Sequence, residues 1–296
     1  MPEISIKAET LFYIGTFAVK NSMVLSSLVF IFFVFLGLAY HKESQKDEKS
    51  GLYYTLNLVL RSLYELFESI VHDKITVFFP LLSAFFLWIL IQNWSGLLPG
   101  VGSIMVKVPA AVVHGTIFTQ EAHKIVPQKE VVQEKGEILN LHGESAVAKT
   151  EKSEGKAEVG EGESEFKKIP LFRGNNADLN ATLALAIISV TMIQVYGIQF
   201  LGFKTYISKF LNFKDPIYFV LGLLEVVSEI SKVVSFAFRL FGNIFAGEVL
   251  LTIVAFLVPV LASFPFIILE IFVGFVQALV FSMLTSVFIS LSVSHH

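Results

Sequence analysis

The sequence contains no cysteine and few charged residues. None of its 296 residues is a cysteine, which excludes disulfides, thiol catalysis and cysteine-ligated metals. Charged residues make up 16% of the chain, whereas an average soluble domain has about 25%. Apolar residues make up 54%, and the mean hydropathy is +0.69. These values are typical of an integral membrane protein.

Other absences narrow the functional classes further. The seven histidines show no metal-ligand spacing, so we expect neither a metal nor a cofactor. A net charge of −3 gives no argument for a nucleic-acid partner. The first residues lack the basic start and short apolar core of a cleaved signal peptide, and we expect none. Outside the apolar runs no enzyme-sized segment remains, so we expect no catalytic site of its own.

Five apolar runs reach the length of about 20 residues that a membrane helix needs. They cover residues 22–40, 75–98, 179–203, 216–258 and 262–293. The fourth run would measure about 65 Å as one helix, twice the thickness of a bilayer core. Because it contains no turn signal, we expect one long, steeply tilted helix that forms a hairpin with the last run. The prediction is an all-α integral membrane protein with about five membrane helices.

The segments between these runs differ in character. Residues 52–74 carry apolar side chains at helical spacing, which favours an interfacial amphipathic helix. Residues 107–170 are rich in Glu, Lys and Gly, and we expect a disordered or weakly structured extramembrane insert. The chain therefore divides into an N-terminal membrane part (1–106), this insert, and a second membrane part (171–296).

Basic residues in the short loops predict the orientation. Lysines are frequent in residues 41–74 and in 204–214, so both segments should face the cytoplasm under the positive-inside rule. The long insert counts little, because long loops translocate largely regardless of charge. We therefore expect the N-terminus and the insert outside and the C-terminus inside.

The last two runs contain charges that are costly in a membrane. Of three arginines, only Arg239 lies in an apolar run. A charge at the bilayer centre costs about 3 kcal/mol on insertion scales, so such residues usually face a protein interior or a water-filled cavity. At helical spacing Ser235, Arg239 and Asn243 share one small, polar face. Four carboxylates lie in the same two runs: Glu225, Glu229, Glu248 and Glu270.

The spacing of these residues predicts two polar tracks. Glu248 follows Arg239 by nine residues, half a turn around and about 13.5 Å along a helix, so we expect no direct pair. Glu270 and Gln277 are seven residues apart and share a face with Gly274 between them. The two tracks could meet where the helices cross.

Structural interpretations of the same residues remain open. A buried arginine can simply neutralise a buried glutamate within a helix bundle. Glu229 and Lys232, three residues apart, could equally form a solvated helix face. For Asn93 and Ser95, at the end of the second run, we expect interfacial capping, and for Gln194 a packing hydrogen bond.

Several stretches together resemble one family. RLFGNIFAGEVLL, followed 22 residues after Glu248 by Glu270 and then by Gln277, is similar to subunit a of the F-type ATP synthases, the stator half of their membrane proton channel. SGLYYTLNLVLRSLYELFESIVHDK resembles the surface helix of that family. FFPLLSAFFLWILIQNWSGLLPG and NNADLNATLALAIISV resemble its next two spans. The resemblance covers most of the chain outside the insert.

The resemblance implies roles for individual residues. Arg239 matches the arginine that faces the ion-binding carboxylate of the rotating c-ring and separates two aqueous half-channels. The implied or expected residues of the proton pathway are Glu225, Glu248, Glu270, Gln277, Asn243, Ser235 and Asp178. Whether Glu229 and Lys232 also belong to the proton pathway stays open. The ion, H⁺ or Na⁺, is not implied, because its binding site lies on the c-ring.

The sequence also departs from the family's pattern. Glu270 stands where some bacterial members have a histidine. Gly96 stands where some members have an aspartate, and Asp178 is a partial substitute for it. The insert is longer than the resemblance leads us to expect.

The implied partners are the c-ring, the peripheral-stalk b subunits, membrane lipid and, indirectly, the soluble ATPase head. A bacterial plasma membrane is the expected location. The main alternative is an ion-coupled secondary transporter in which Arg239 binds an anion. Many such transporters are built from inverted repeats, and we find no internal repeat. A purely structural membrane anchor would not explain four carboxylates and an arginine inside apolar runs.

Overall fold

The computed structural model describes residues 8–109, 112, 166–210, 216–257 and 263–293. The chain separates into one unit of Met1–Val106 with Ile169–His296 and a second unit, Lys107–Lys168. Only the ends and one further residue of the second unit are described. The disorder predicted for 107–170 therefore falls mostly outside the described residues.

The described residues form seven α-helices. They are α1 (Asn21–Ser44), α2 (Gly51–Val71), α3 (Ile75–Gly96), α4 (Leu179–Leu201), α5 (Phe203–Phe210), α6 (Pro216–Leu257) and α7 (Ser263–Val293). Five of them, α1, α3, α4, α6 and α7, are long and apolar enough to cross a membrane. The prediction of an all-α integral membrane protein with about five such helices is confirmed.

The predicted bounds agree with these helices to within four residues. The long apolar run is one uninterrupted helix, α6, of 42 residues. At 1.5 Å per residue it is about 63 Å long. The segment predicted to be interfacial forms α2, which ends where His72 takes a positive φ of 54°. A 3₁₀ turn, His72–Lys74, then leads into α3.

Short strands lie outside the helices and were not predicted. β1 (Thr10–Ile14) and β2 (Phe17–Lys20) form an antiparallel hairpin. β3 (Met105–Pro109) and β4 (Phe166–Pro170) form a second two-stranded sheet. The two ends of the predicted insert therefore pair through their backbones, which composition does not encode.

Local sequence sets both ends of α4. The Asp178 carboxylate caps the helix and accepts a hydrogen bond from the Asn180 backbone N–H at 3.1 Å. At the other end Gly202 has a φ of +81°, and its N–H donates to the Ile198 carbonyl at 2.9 Å. Glycine reaches this left-handed region without the steric cost of a Cβ, so α4 ends there.

The core is built mainly by α3, α4, α6 and α7. The largest helix interfaces are those of α3 with α7 and of α4 with α6. Phe78, Leu82 and Ile89 on α3 and Phe281 and Ile289 on α7 are almost completely buried. Fewer residues of α6 are buried: in the most apolar stretch of each helix, 11% of the residues of α6 are buried, against 50% of those of α3. Part of the surface of the helix that carries Arg239 and Glu248 is therefore left uncovered by the described residues of this chain.

Candidate functional site

Glu248 on α6 forms an ion pair with Arg173. The Arg173 Nη2 donates to the Glu248 Oε2 at 3.3 Å. Arg173 lies three residues after the end of β4, in the segment that leads to the 3₁₀ turn Asn175–Ala177. The arginine side chain is 7% exposed and the glutamate side chain 39%. The guanidinium is thus the fixed, buried partner, and the carboxylate reaches open space.

This pair lines a cavity of about 230 Å³, which we call the Glu248 cavity. Its charged residues are Arg173, Glu248 and Glu270. Its other polar side chains belong to Gln92, Asn93, Asn176 and Thr252. The wall therefore carries a cluster of charged and polar side chains within a mostly apolar surface.

Buried polar atoms in this wall point to hydration. Gln92 is 1% exposed, and neither of its side-chain amide atoms has a hydrogen-bond partner among the described residues. The same is true of the Asn176 Oδ1. Buried polar groups almost always have a partner, and where protein supplies none, water does. The Glu248 cavity is large and polar enough to hold such water.

The two predicted polar tracks meet where α6 crosses α7. The Glu270 carboxylate lies directly against Gly247, at a position that leaves no space for a Cβ. One turn away, the Asn243 Nδ2 donates to the Gln277 Oε1 at 2.7 Å. Glu270 and Gln277 are both buried. The predicted common face of these two residues is confirmed.

Asn93 joins α3 to this crossing. Its Nδ2 donates to the Gly274 carbonyl at 3.1 Å, and its Oδ1 accepts from the Asn176 Nδ2 at 2.6 Å. The neighbouring Trp94 Nε1 donates to the Ile271 carbonyl at 3.1 Å. The expectation of interfacial capping was wrong for Asn93, because the residue is buried between helices that are distant in sequence.

A second polar groove, of about 260 Å³, follows α6 in the N-terminal direction. Its α6 residues include Lys232 and Arg239 together with three serines at one-turn spacing: Ser228, Ser231 and Ser235. The Arg239 Nη2 donates to the Ser235 Oγ at 3.4 Å. No carboxylate of the described residues lies within ion-pair distance of Arg239, so the structure does not support charge neutralisation by a buried glutamate. We call this the Arg239 groove.

A hydrogen-bonded network lies beside the Arg239 groove. The Lys232 Nζ is 2.6 Å from the Glu229 Oε1, and the Gln194 Nε2 donates to the Glu229 Oε2 at 2.7 Å. The Tyr206 hydroxyl donates to the Gln194 Oε1. The side chains of Glu229 and Lys232 are only 15% and 18% exposed, so the interpretation as a solvated face was wrong. Gln194 therefore connects α4 to the ion pair of Glu229 and Lys232 and does more than form a packing hydrogen bond.

Tyr206 keeps its proton in this network. Burial, together with the charges of Glu229 and Glu225, raises the pKa of the Tyr206 hydroxyl, although a hydrogen bond with Ser292 opposes the shift. A neutral hydroxyl can donate to the Gln194 amide oxygen, whereas a phenolate could not.

The two spaces stay distinct along α6. Arg239 is the last α6 residue of the Arg239 groove, and Ile244 is the first α6 residue of the Glu248 cavity. Four residues of helix lie between them, and the rise from Arg239 to Ile244 is about 7.5 Å. The interval holds the fully buried Leu240 and the bond between Asn243 and Gln277. Arg239 therefore lies at the boundary between the two polar spaces.

Comparison with known proteins identifies the family. The model of the ATP synthase A chain family matches residues 22–290. The chain belongs to this family. Proteins named ATP synthase subunit a match it in Campylobacter jejuni (41% identity over 125 residues), Moorella thermoacetica (36% over 128) and Syntrophobacter fumaroxidans (37% over 131). These matches cover 41–43% of the chain and 53–57% of each relative, so the chain spans about half the length of the curated relatives it matches.

Four implied pathway residues line neither space: Asn243 and Gln277, which bond to each other in the interval between them, and Asp178 and Glu225. Asp178, besides capping α4, accepts from the Ser22 Oγ at 3.4 Å and lies 3.8 Å from the Lys20 Nζ. It does not line the Glu248 cavity. Glu225 lies on α6 one turn before Glu229, partly exposed and close enough to act on Tyr206.

The sequence analysis did not predict that three polar residues line the Glu248 cavity. They are Arg173, Gln92 and Asn176. Arg173 lies 75 residues from Glu248 and outside any helix, so no helical spacing connects them. The available signal was scarcity, because Arg173 is one of only three arginines. Gln92 lies one position before Asn93 and interrupts an otherwise apolar run, which is a weaker signal of the same kind.

Proposed function

We propose that this chain is the proton-translocating subunit a of an F-type ATP synthase, the stator half of its membrane channel. Its family membership supports the assignment to that complex. The observation that carries the mechanism is the position of Arg239 at the boundary between the Glu248 cavity and the Arg239 groove.

The two spaces act as half-channels. A proton enters the Glu248 cavity through water and is passed by Glu248 and Glu270 to a carboxylate on the rotating c-ring. Protonation makes that carboxylate neutral, and a neutral group can pass into lipid without the large cost of burying a charge. The groove beside Ser228, Ser231 and Ser235 is the path to or from the other side of the membrane.

Arg239 prevents a direct leak between the half-channels. Its guanidinium keeps its charge at any physiological pH. A hydrated proton that crossed between the spaces would meet this charge in a low-dielectric region. The same charge favours the ionised form of a c-ring carboxylate that comes close, so the carboxylate releases its proton there. Protons therefore cross only by riding on the rotor.

The uncovered face of α6 is the proposed contact with the c-ring. Gly242, Asn243 and Ala246 are exposed around Arg239, and the space beside Gly242 is open. Small residues let a partner helix approach closely. The remaining partners are the peripheral-stalk b subunits, membrane lipid and, indirectly, the soluble ATPase head. We place the protein in a bacterial plasma membrane, with its N-terminus outside and its C-terminus in the cytoplasm.

Substitution of Arg239 tests the proposal. In vesicles containing the complex, Arg239→Ala should abolish ATP-driven proton pumping, because it removes both the barrier and the charge that drives deprotonation. The matched control is Arg61→Ala, since Arg61 lies exposed on α2 and, among the described residues, forms an ion pair only with Glu65. The control should pump at the normal rate. Coupled pumping by Arg239→Ala at the control rate would refute the proposed mechanism.

A further inference from the structure

The Glu248 cavity combines the oxygen ligands of a cation site with a buried positive charge. We propose that Arg173 excludes alkali-metal cations from this cavity, so that the half-channel itself selects protons. The inference rests on the proposed function, because it assigns a specificity-determining residue to one of the two half-channels.

Without the arginine, the cavity wall would suit a hard cation. It contains two carboxylates, Glu248 and Glu270, and three side-chain amides, Gln92, Asn93 and Asn176. Carboxylate, carbonyl and water oxygens are the ligands that hard metal ions prefer. The oxygens of Gln92 and Asn176 accept no hydrogen bond from the described residues and are available to an ion.

Arg173 opposes this in two ways. Its Nη2 already donates a hydrogen bond to the Glu248 Oε2 at 3.3 Å, so a metal ion at that oxygen would compete with a charge-assisted hydrogen bond. Its charge is also fixed in the wall, because the side chain is 7% exposed and a guanidinium does not deprotonate. In a partly buried site, where screening is weak, this charge offsets one of the two carboxylate charges of the wall and so weakens the attraction for a second cation.

A proton escapes this exclusion. It moves along water and attaches covalently to a carboxylate oxygen, and therefore needs no shell of oxygen ligands of the kind a hard metal ion requires. The second oxygen of Glu248 is not bound by Arg173. The pair can thus exchange protons with cavity water while it rejects Na⁺. Arg173 acts through Glu248 and is a positioning residue.

The test measures ATP-driven proton pumping in vesicles containing the intact complex, across a titration of NaCl against choline chloride at constant ionic strength. Wild type should be insensitive to Na⁺. In Arg173→Gln, Na⁺ should occupy the cavity and lower the pumping rate on the order of tenfold at high Na⁺, as expected when a buried like charge is removed. Arg173→Lys keeps a positive charge and should stay insensitive.

Arg61→Gln is the matched control, since it removes an exposed arginine from an ion pair of 3.0 Å and should leave both rate and Na⁺ response unchanged. An Arg173→Gln complex that pumps without Na⁺ inhibition would overturn the inference, and so would a wild type that Na⁺ inhibits. If the glutamine variant does not assemble, Arg173→Lys decides alone: Na⁺ inhibition overturns the inference, and insensitivity supports it.

This outcome is distinguishable from failure of the proposed function. A wild-type complex that pumps no protons would refute the proposed function. A wild-type complex that pumps, with an Arg173→Gln variant that ignores Na⁺, would refute only the role of Arg173. A purely structural ion pair would lower assembly or rate without making either depend on Na⁺.

Discussion

Gly247 gives the Glu270 carboxylate its place at the helix crossing. A Cβ at Gly247 would collide with the carboxyl atoms of Glu270, which are the far end of a flexible side chain. The steric conflict can therefore be relieved by moving the carboxylate, with little change to the helices. Position 247 controls where an ionisable group of the site lies more than it controls folding.

We expect Gly247→Ala to assemble normally but to lower ATP-driven proton pumping on the order of tenfold, because small misplacements of reacting groups have large effects on rate. Pumping in vesicles and co-purification of the complex measure the two properties. Gly37→Ala is the control, since a Cβ there meets nothing within 4 Å. An unchanged rate in Gly247→Ala would show that the position of Glu270 does not limit translocation.

For individual residues, the sequence predicted relative positions well where both residues lie on helices. Helical spacing placed Glu270 with Gln277 and kept Glu248 away from Arg239, and the structure agrees. Spacing could not find Arg173, because its contact with Glu248 depends on how a non-helical segment returns to the bundle. Contacts of this kind are fixed by the whole fold and leave no local periodicity.

Among the helices, α5 is held against α6 by a backbone contact. A Cβ at Gly222 on α6 would collide with the carbonyl oxygen of Phe210, the last residue of α5. A backbone carbonyl cannot rotate away as a side chain can. α5 carries Tyr206, whose hydroxyl donates to Gln194, so the close approach at Gly222 also positions the network beside the Arg239 groove.

Gly222→Ala should therefore force α5 away from α6 and destabilise the protein by about 1–3 kcal/mol, the usual cost of overpacking. The measurement is the thermal unfolding midpoint of the detergent-purified complex, compared with Gly37→Ala. We expect a lower midpoint for Gly222→Ala only. Equal midpoints would show that α5 can shift without cost.

Apolar length was a good guide to elements, because a bilayer imposes about 20 residues on every spanning helix. It predicted α1, α3, α4, α6 and α7, including the unbroken course of α6. The short hairpin of β1 and β2 was missed, since TLFYI and FAVK offer too few residues for a period of two to stand out. α5 was also missed, because its eight residues lie in a segment that was interpreted as a loop and whose lysines served only to predict the orientation in the membrane.

For the whole molecule, the main feature is the exposed side of α6. Gly242 lies on it, and its surroundings within this chain are open. A larger side chain at this position should therefore not disturb the fold of the chain itself. It should matter only if another subunit approaches here, as the proposed contact with the c-ring requires.

Gly242→Leu should accordingly leave expression and membrane insertion unchanged but prevent co-purification of the c-ring. Gly37→Leu is the matched control, because Gly37 on α1 also faces open space. This control should retain the c-ring. Recovery of a complete, active complex from Gly242→Leu would show that the rotor contacts another face.

The bonds of Asn93 and Trp94 to the carbonyls of Gly274 and Ile271 have a consequence for sequence variation. They fix the position of α7 along α3. The position of Glu270 along the bundle is therefore set by its helix's contact with α3. A change in the length of the connection between α6 and α7 would then leave that position unaltered. Two side chains on one helix thus uncouple the placement of Glu270 from the length of the connection that precedes α7.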